Sequence, residues 1–121
     1  MEPNTIKINE VEYIRKDALN QLAPTQDGMP YVIVRTYSAG VFAGYLESRN
    51  GQEGILRNSR RIWYWDGAAS LSPLAVEGTS KPQNCKFPCT VGKTELIQII
   101  EVLFCTEKAK KSIEEVKVWR Q

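Results

Sequence analysis

Histidine is absent from this sequence. Its absence removes the commonest metal ligand, the usual general base near neutral pH and every Ser-His or Cys-His nucleophile pair, so most familiar hydrolase chemistry is excluded. Cysteine is scarce. Cys85, Cys89 and Cys105 leave at least one thiol unpaired, and their spacing is not that of a structural zinc site, which fits a reducing compartment. No apolar run approaches the roughly 18 residues of a membrane-spanning helix, and Met1-Glu2-Pro3-Asn4 lacks the basic and apolar regions of a signal peptide. A soluble intracellular chain with no membrane partner is expected. Charge of one sign is lacking too: 16 basic and 14 acidic residues give +2, too little to hold long nucleic acid through the phosphate field. Any basic patch must be local. Asp66, Glu47, Glu53 and Glu77 are scattered, with no DxD, HExxH or paired-acid spacing, so no metal site, cofactor or acid-base pair is expected.

What is present suits one domain. The 121 residues, 42% hydrophobic and 25% charged, match an ordinary globular chain. Residues 1–29 read as an N-terminal hairpin (5–13), a short helix (15–22) and a mobile linker, and residues 30–121 as the main body. From Tyr31 the apolar period becomes two, with strands expected at 31–37, 41–48, 55–58 and 61–65. Ala39-Gly40, Asn50-Gly51 and a basic turn separate them, and Asn50-Gly51 is the strongest hairpin signal because a type I′ turn needs positive φ at both central residues. Ser70 reads as the N-cap of a helix ending at Glu77, with Gly78 beyond it. Residues 85–91 and 96–105 are strand-like, although 95–104 also reads as a short helix. Thr106–Trp119 is an amphipathic helix with Ala109, Ile113, Val116 and Trp119 or Arg120 on one stripe. The class is α+β, a mainly antiparallel sheet with a short central helix and an amphipathic C-terminal helix.

The densest charge is Arg57-Asn58-Ser59-Arg60-Arg61, three arginines in five residues, followed by Ile62-Trp63-Tyr64-Trp65. Guanidinium forks match phosphate oxygens and aromatic faces stack on purines, so Arg57, Arg60, Arg61 and Trp65 are candidate nucleotide-binding residues. A period of two would place Arg61, Trp63 and Trp65 on one face and Arg60, Ile62 and Tyr64 on the other, one of them the core. The alternative is that the tryptophans are core or subunit-interface residues and the basic turn a solvated surface. Asn84, Lys86 and Phe87 offer an amide for a base edge, an ammonium for a phosphate and a ring, which are also ordinary loop and core residues. The last helix carries five basic residues against two glutamates from Lys108 to Arg120, a local charge of +3 that suits either a solvated face or a basic pocket at a subunit contact.

The run Arg60-Arg61-Ile62-Trp63-Tyr64-Trp65-Asp66-Gly67-Ala68-Ala69-Ser70-Leu71-Ser72, continued by Leu74-Ala75-Val76-Glu77-Gly78, Pro82, Asn84-Cys85-Lys86-Phe87 and Cys105-Thr106-Glu107-Lys108-Ala109, resembles the type 1 Thoeris anti-defence proteins of phages. The resemblance covers most of residues 31–119. It implies sequestration without catalysis: a sponge in the host cell cytoplasm for cyclic ADP-ribose isomers made by TIR-domain enzymes, and for cyclic di- or trinucleotides such as CBASS signals. It also implies homo-oligomers, hexamers included, with pockets between protomers. Asn84 and Lys108 lie in runs that match the family's pocket, whereas Leu74 stands where some relatives have an aromatic. Two other readings are a small nucleotide-processing phosphodiesterase and a module that binds single-stranded nucleic acid or a host protein.

Overall fold

Tyr31-Val32-Ile33-Val34 is an unbroken apolar run, the pattern of a strand covered on both faces. In a computed structural model, which describes residues 21–120, this run lies in β1 (Tyr31–Thr36) and all four side chains are buried. The order continues β2 (Val41–Asn50), β3 (Glu53–Arg61), α1 (Leu71–Glu77), a 3-10 turn (Pro82–Asn84), β4 (Thr90–Leu96), β5 (Ile99–Phe104) and α2 (Glu107–Glu115). The five strands form one antiparallel sheet in the order β4-β3-β2-β1-β5, giving the α+β class expected. Among the described residues no helix is long and apolar enough to cross a membrane.

The sheet curls on itself. β4 and β5 occupy opposite edges yet are joined only by Ile97-Gln98. Four strand spacings across a flat sheet would span about 19 Å, against a reach of about 11 Å from Leu96 to Ile99. The difference is absorbed in the β2–β3 pair, where an extra β3 residue opposite Gly44 and an extra β2 residue between Leu46 and Ser48 let the strands bend. The β2–β3 hairpin thereby folds over, and the Ile99 N–H donates to the Gln52 carbonyl at its tip, 2.9 Å away. Val32, Val34, Phe42, Leu56, Leu96 and Ile99 pack together inside the curl. The other face of the sheet, with Tyr31, Ile33, Ala43 and Tyr45, packs against Leu74 and Ala75 of α1, Ala109 and Ile113 of α2, and Phe87.

The helices are fixed to each other through their ends. Thr106 caps α2, its hydroxyl accepting from the Ala109 N–H at 3.1 Å and donating to the Val76 carbonyl at 2.6 Å. Gly78, at φ +80, ends α1 where a Cβ would collide with Ser112 of α2. Tyr31 and Cys105 are both buried in this layer, and burial raises both acids, the thiol to about 12. Each is neutral in the fold at a pH where the unfolded chain begins to ionise. Stability is therefore expected to hold up to about pH 9 and to fall from there to pH 12, by up to about 1.4 kcal/mol per pH unit for each group. Denaturant melts across that range check this, and Cys105→Ala should flatten the first part of the decline.

Several local expectations change. The hairpin at 5–13 and all but the last two residues of the helix at 15–22 lie outside the described residues. The linker contains a tight turn: Gln26 and Met29 exchange backbone hydrogen bonds of 2.9 and 3.0 Å around Asp27 (φ 53) and Gly28 (φ 81), an Asp-Gly type I′ signature. The β2–β3 hairpin forms, but its central residues are Gly51-Gln52, with only Gly51 at positive φ, the pattern of a II′ turn. No basic turn interrupts residues 55–61, because β3 runs through them and ends at Arg61. Residues 85–91 yield only bridges and the first residues of β4. α2 stops at Glu115, and Val118 continues as a bridge to Phe87, so Trp119 lies beyond the helix.

Candidate functional site

Arg57 and Arg60 differ by three positions, and strict alternation would send them to opposite faces. They share one. Between the pairs Ala43↔Arg60 and Tyr45↔Arg57, two residues of β3, Asn58 and Ser59, oppose the single Gly44. This bulge needs a residue that tolerates positive φ, supplied by Asn58 at φ 50, and it crowds Gly44, where a Cβ would lie 2.6 Å from the Ser59 Cβ. Both arginines consequently stand on the helix side with Tyr31 and Tyr45, while Arg61 points to the opposite face with its guanidinium 4.6 Å from the Phe42 ring centre.

On the helix side the bulge borders a cleft. Two adjoining hollows of about 410 and 640 Å³ share Gln26 and Asn58 on their walls. Arg57, Lys93, Asn58, Asp27 and Glu47 line the larger one, and Arg60, Tyr31, Tyr45 and Glu114 line the smaller. Arg57 is ion-paired through Nε to Glu47, both side chains about 40% exposed (41% and 37%). Behind the smaller hollow the Lys110 ammonium lies 5.8 Å from each tyrosine ring centre. Burial works against that charge, but hydrogen bonds with Tyr45 and Glu114 outweigh it and raise the pKa. Tyr31 and Tyr45 meet edge to face at 5.2 Å and are buried, so they wall the cleft without offering an open ring face. The larger hollow supplies two cations, Arg57 and Lys93, and two amides, Gln26 and Asn58, donors suited to phosphate oxygens and base edges, beside the carboxylates of Asp27 and Glu47.

The seven residues singled out in the sequence do not converge. Arg57 lines the larger hollow. Arg60 is 5% exposed and its guanidinium is committed to main chain: Nε to Pro88 O at 3.1 Å, Nη1 to Ile113 O at 2.9 Å and Val116 O at 2.8 Å, and Nη2 to Phe87 O at 2.7 Å. Its first job is structural, capping the C-terminal carbonyls of α2, and burial pulls its pKa down. Trp65 is half-buried against the helix-side core, with its indole N–H donating to Ala68 O at 3.2 Å, so it is not an open stacking ring. Asn84 donates to Asp66 at 3.0 Å, and that bond, with the Gly67 N–H, holds the Asp66 carboxyl below its usual range. Lys108 is exposed and pairs with Glu77. Lys86 joins a separate aromatic cluster, and Leu74 is a fully buried core residue.

Sequence reasoning missed Asn58, Lys93 and Gln26. Only Asn58 carried a signal, as an asparagine inside a strand pattern, the residue type most tolerant of the left-handed region after glycine. Among the described residues, no three Cys, Asp or Glu side chains gather as a metal site would require.

Residues 29–113 match the model of the family described as Domain of unknown function (DUF6948), which covers more than half of the chain. The chain belongs to this family. The matched span contains Arg57, Asn58, Lys93 and both cleft tyrosines. No curated protein and no solved structure matches the chain.

Proposed function

We propose that this protein is a non-catalytic phage anti-defence sponge, which captures small cyclic nucleotide immune signals in the host cytoplasm and holds them unchanged. The signals are cyclic ADP-ribose isomers from TIR-domain enzymes and, by the same chemistry, cyclic di- or trinucleotides. The observation that carries this reading is the cleft where Arg57, Lys93, Asn58 and Gln26 present cations and amides together. Its size lies within the usual range of about 300–1,000 Å³ for small-ligand sites. Phosphates would meet Arg57 and Lys93, and base or ribose edges the two amides. Assembly into a homo-oligomer, a hexamer in the fullest form, is part of the proposal. The half-exposed Ile100 and Phe104 on β5 are apolar surface that association would cover.

A sponge depends on slow release, not on turnover. Incubated messenger should therefore come back chemically intact when the protein is heat-denatured, and scattering should give a mass of several chains. A cleaved product would make the protein an enzyme, and a solitary chain at working concentration would remove the homo-oligomer from the reading.

A further inference from the structure

Trp63 and Tyr64 are neighbours in sequence, and both are more than half exposed, 62% and 51%. Tryptophan is seldom left so open unless its face has a use. The surroundings are organised around it. The Trp63 ring lies parallel to that of Trp119, 5° between planes and 6.4 Å between centres, and the Lys86 ammonium sits 5.6 Å from the Trp119 ring and 5.9 Å from the Tyr64 ring. No carboxylate among the described residues pairs with Lys86.

Main-chain bonds hold these side chains in register. The Lys86 carbonyl accepts from the N–H groups of Trp63 and Tyr64 at 3.1 and 3.3 Å, the Lys86 N–H donates to Tyr64 O at 2.8 Å, and the Trp119 N–H donates to Phe87 O at 3.0 Å. Arg60 ties the segments together from below through Phe87 O and Val116 O. The platform is preorganised, so a ligand has little ordering left to bring about.

We infer that Trp63, Tyr64, Lys86 and Trp119 form a second binding site, which takes a free purine nucleotide by stacking the base on the open Trp63 face and placing its phosphate at Lys86. This site shares no residue with the Arg57 cleft and does not depend on what the cleft captures. Flat indole faces match a bicyclic base, and an ammonium with no acid partner among the described residues suits an anion. One ammonium serves one phosphate. A nucleic-acid strand would need cations in a row along its backbone, so the free nucleotide is the better occupant.

The test is a titration of the intact protein with adenosine 5′-monophosphate, followed by calorimetry and by the indole N–H resonances of the three tryptophans. The Trp63 and Trp119 signals should shift saturably while that of Trp65 stays in place. Trp63→Ala should weaken binding at least about tenfold, the loss of one stacking contact. Lys86→Gln, a milder surface change, should weaken adenosine monophosphate about tenfold but adenosine hardly at all. Arg57→Ala should leave this binding as it is. Absence of saturable binding, unchanged affinity in both platform variants, equal competition by ribose 5-phosphate, or tighter binding of a single-stranded oligodeoxyadenylate per site would each overturn the inference.

Discussion

Arg60→Met is expected to lower folding stability by about 3–5 kcal/mol, since the carbonyls of Pro88 and Val116 lose their donor at about 1–3 kcal/mol each and those of Phe87 and Ile113 lose one of two. For a domain of this size that corresponds to a fall in Tm of roughly 10–20 °C. The guanidinium donates to carbonyls of residues 87, 88, 113 and 116, and without it those groups are left desolvated at the end of α2. The loss is partial for two of them, since Phe87 O still accepts from Trp119 and Ile113 O from Val116. Arg60→Lys should rescue little, because one ammonium cannot reach along the planar fork to all four oxygens. The same substitution should loosen the Trp63–Trp119 stack before the fold melts, read as broadened indole signals below the transition. A Met variant within about 1 kcal/mol of the parent in a thermal melt would show that these bonds contribute little.

Arg57→Ala is expected to reduce cyclic nucleotide capture by at least about 30-fold, roughly 2 kcal/mol, since a ligand seated in the cleft excludes water from the contact between guanidinium and phosphate. The partner of Arg57 gives the prediction a second arm. Glu47 pairs with the guanidinium and must be displaced or shared when a phosphate binds there. Glu47→Gln should therefore strengthen capture several-fold, and the gain should shrink as salt is added. Neither substitution should change the melting temperature much, because both side chains are substantially exposed and a surface ion pair contributes about 0–1 kcal/mol. Asn84→Ala should leave capture unchanged, since that amide is engaged with Asp66. Calorimetry on the three variants checks the ordering.

The parts of the fold that follow from local pattern were legible. The β-branched and aromatic composition of β1, the β2–β3 hairpin, although its turn lies at Gly51-Gln52 and not at Asn50-Gly51, and the stripe of Ala109 and Ile113 on α2 each encode their own element, because neighbours in sequence decide them. The site was only partly legible, and the arginines show why. Arg57, Arg60 and Arg61 look alike in sequence, yet one lines a cleft, one caps a helix and one lies over Phe42 on the opposite face. The sorting depends on the bulge at Asn58-Ser59, which resets the alternation, and on Arg60 partners 27 to 56 residues distant. The curl of the sheet is also a tertiary matter. The brevity of the Ile97-Gln98 link reveals it only when β4 and β5 are known to sit at opposite edges. Trp65 illustrates the reverse case, an aromatic beside a basic run whose ring is taken up by packing, while the next tryptophan back stands open.

A small anionic cyclic messenger should be held by cations and amides on the helix side of the bulge. Calorimetric titration of the purified protein with a panel of cyclic ADP-ribose isomers and cyclic di- and trinucleotides tests it most directly. The account predicts saturable binding of at least one messenger, weakened by Arg57→Ala and strengthened by Glu47→Gln. Heat absent across the whole panel, or binding indifferent to both substitutions, would contradict it.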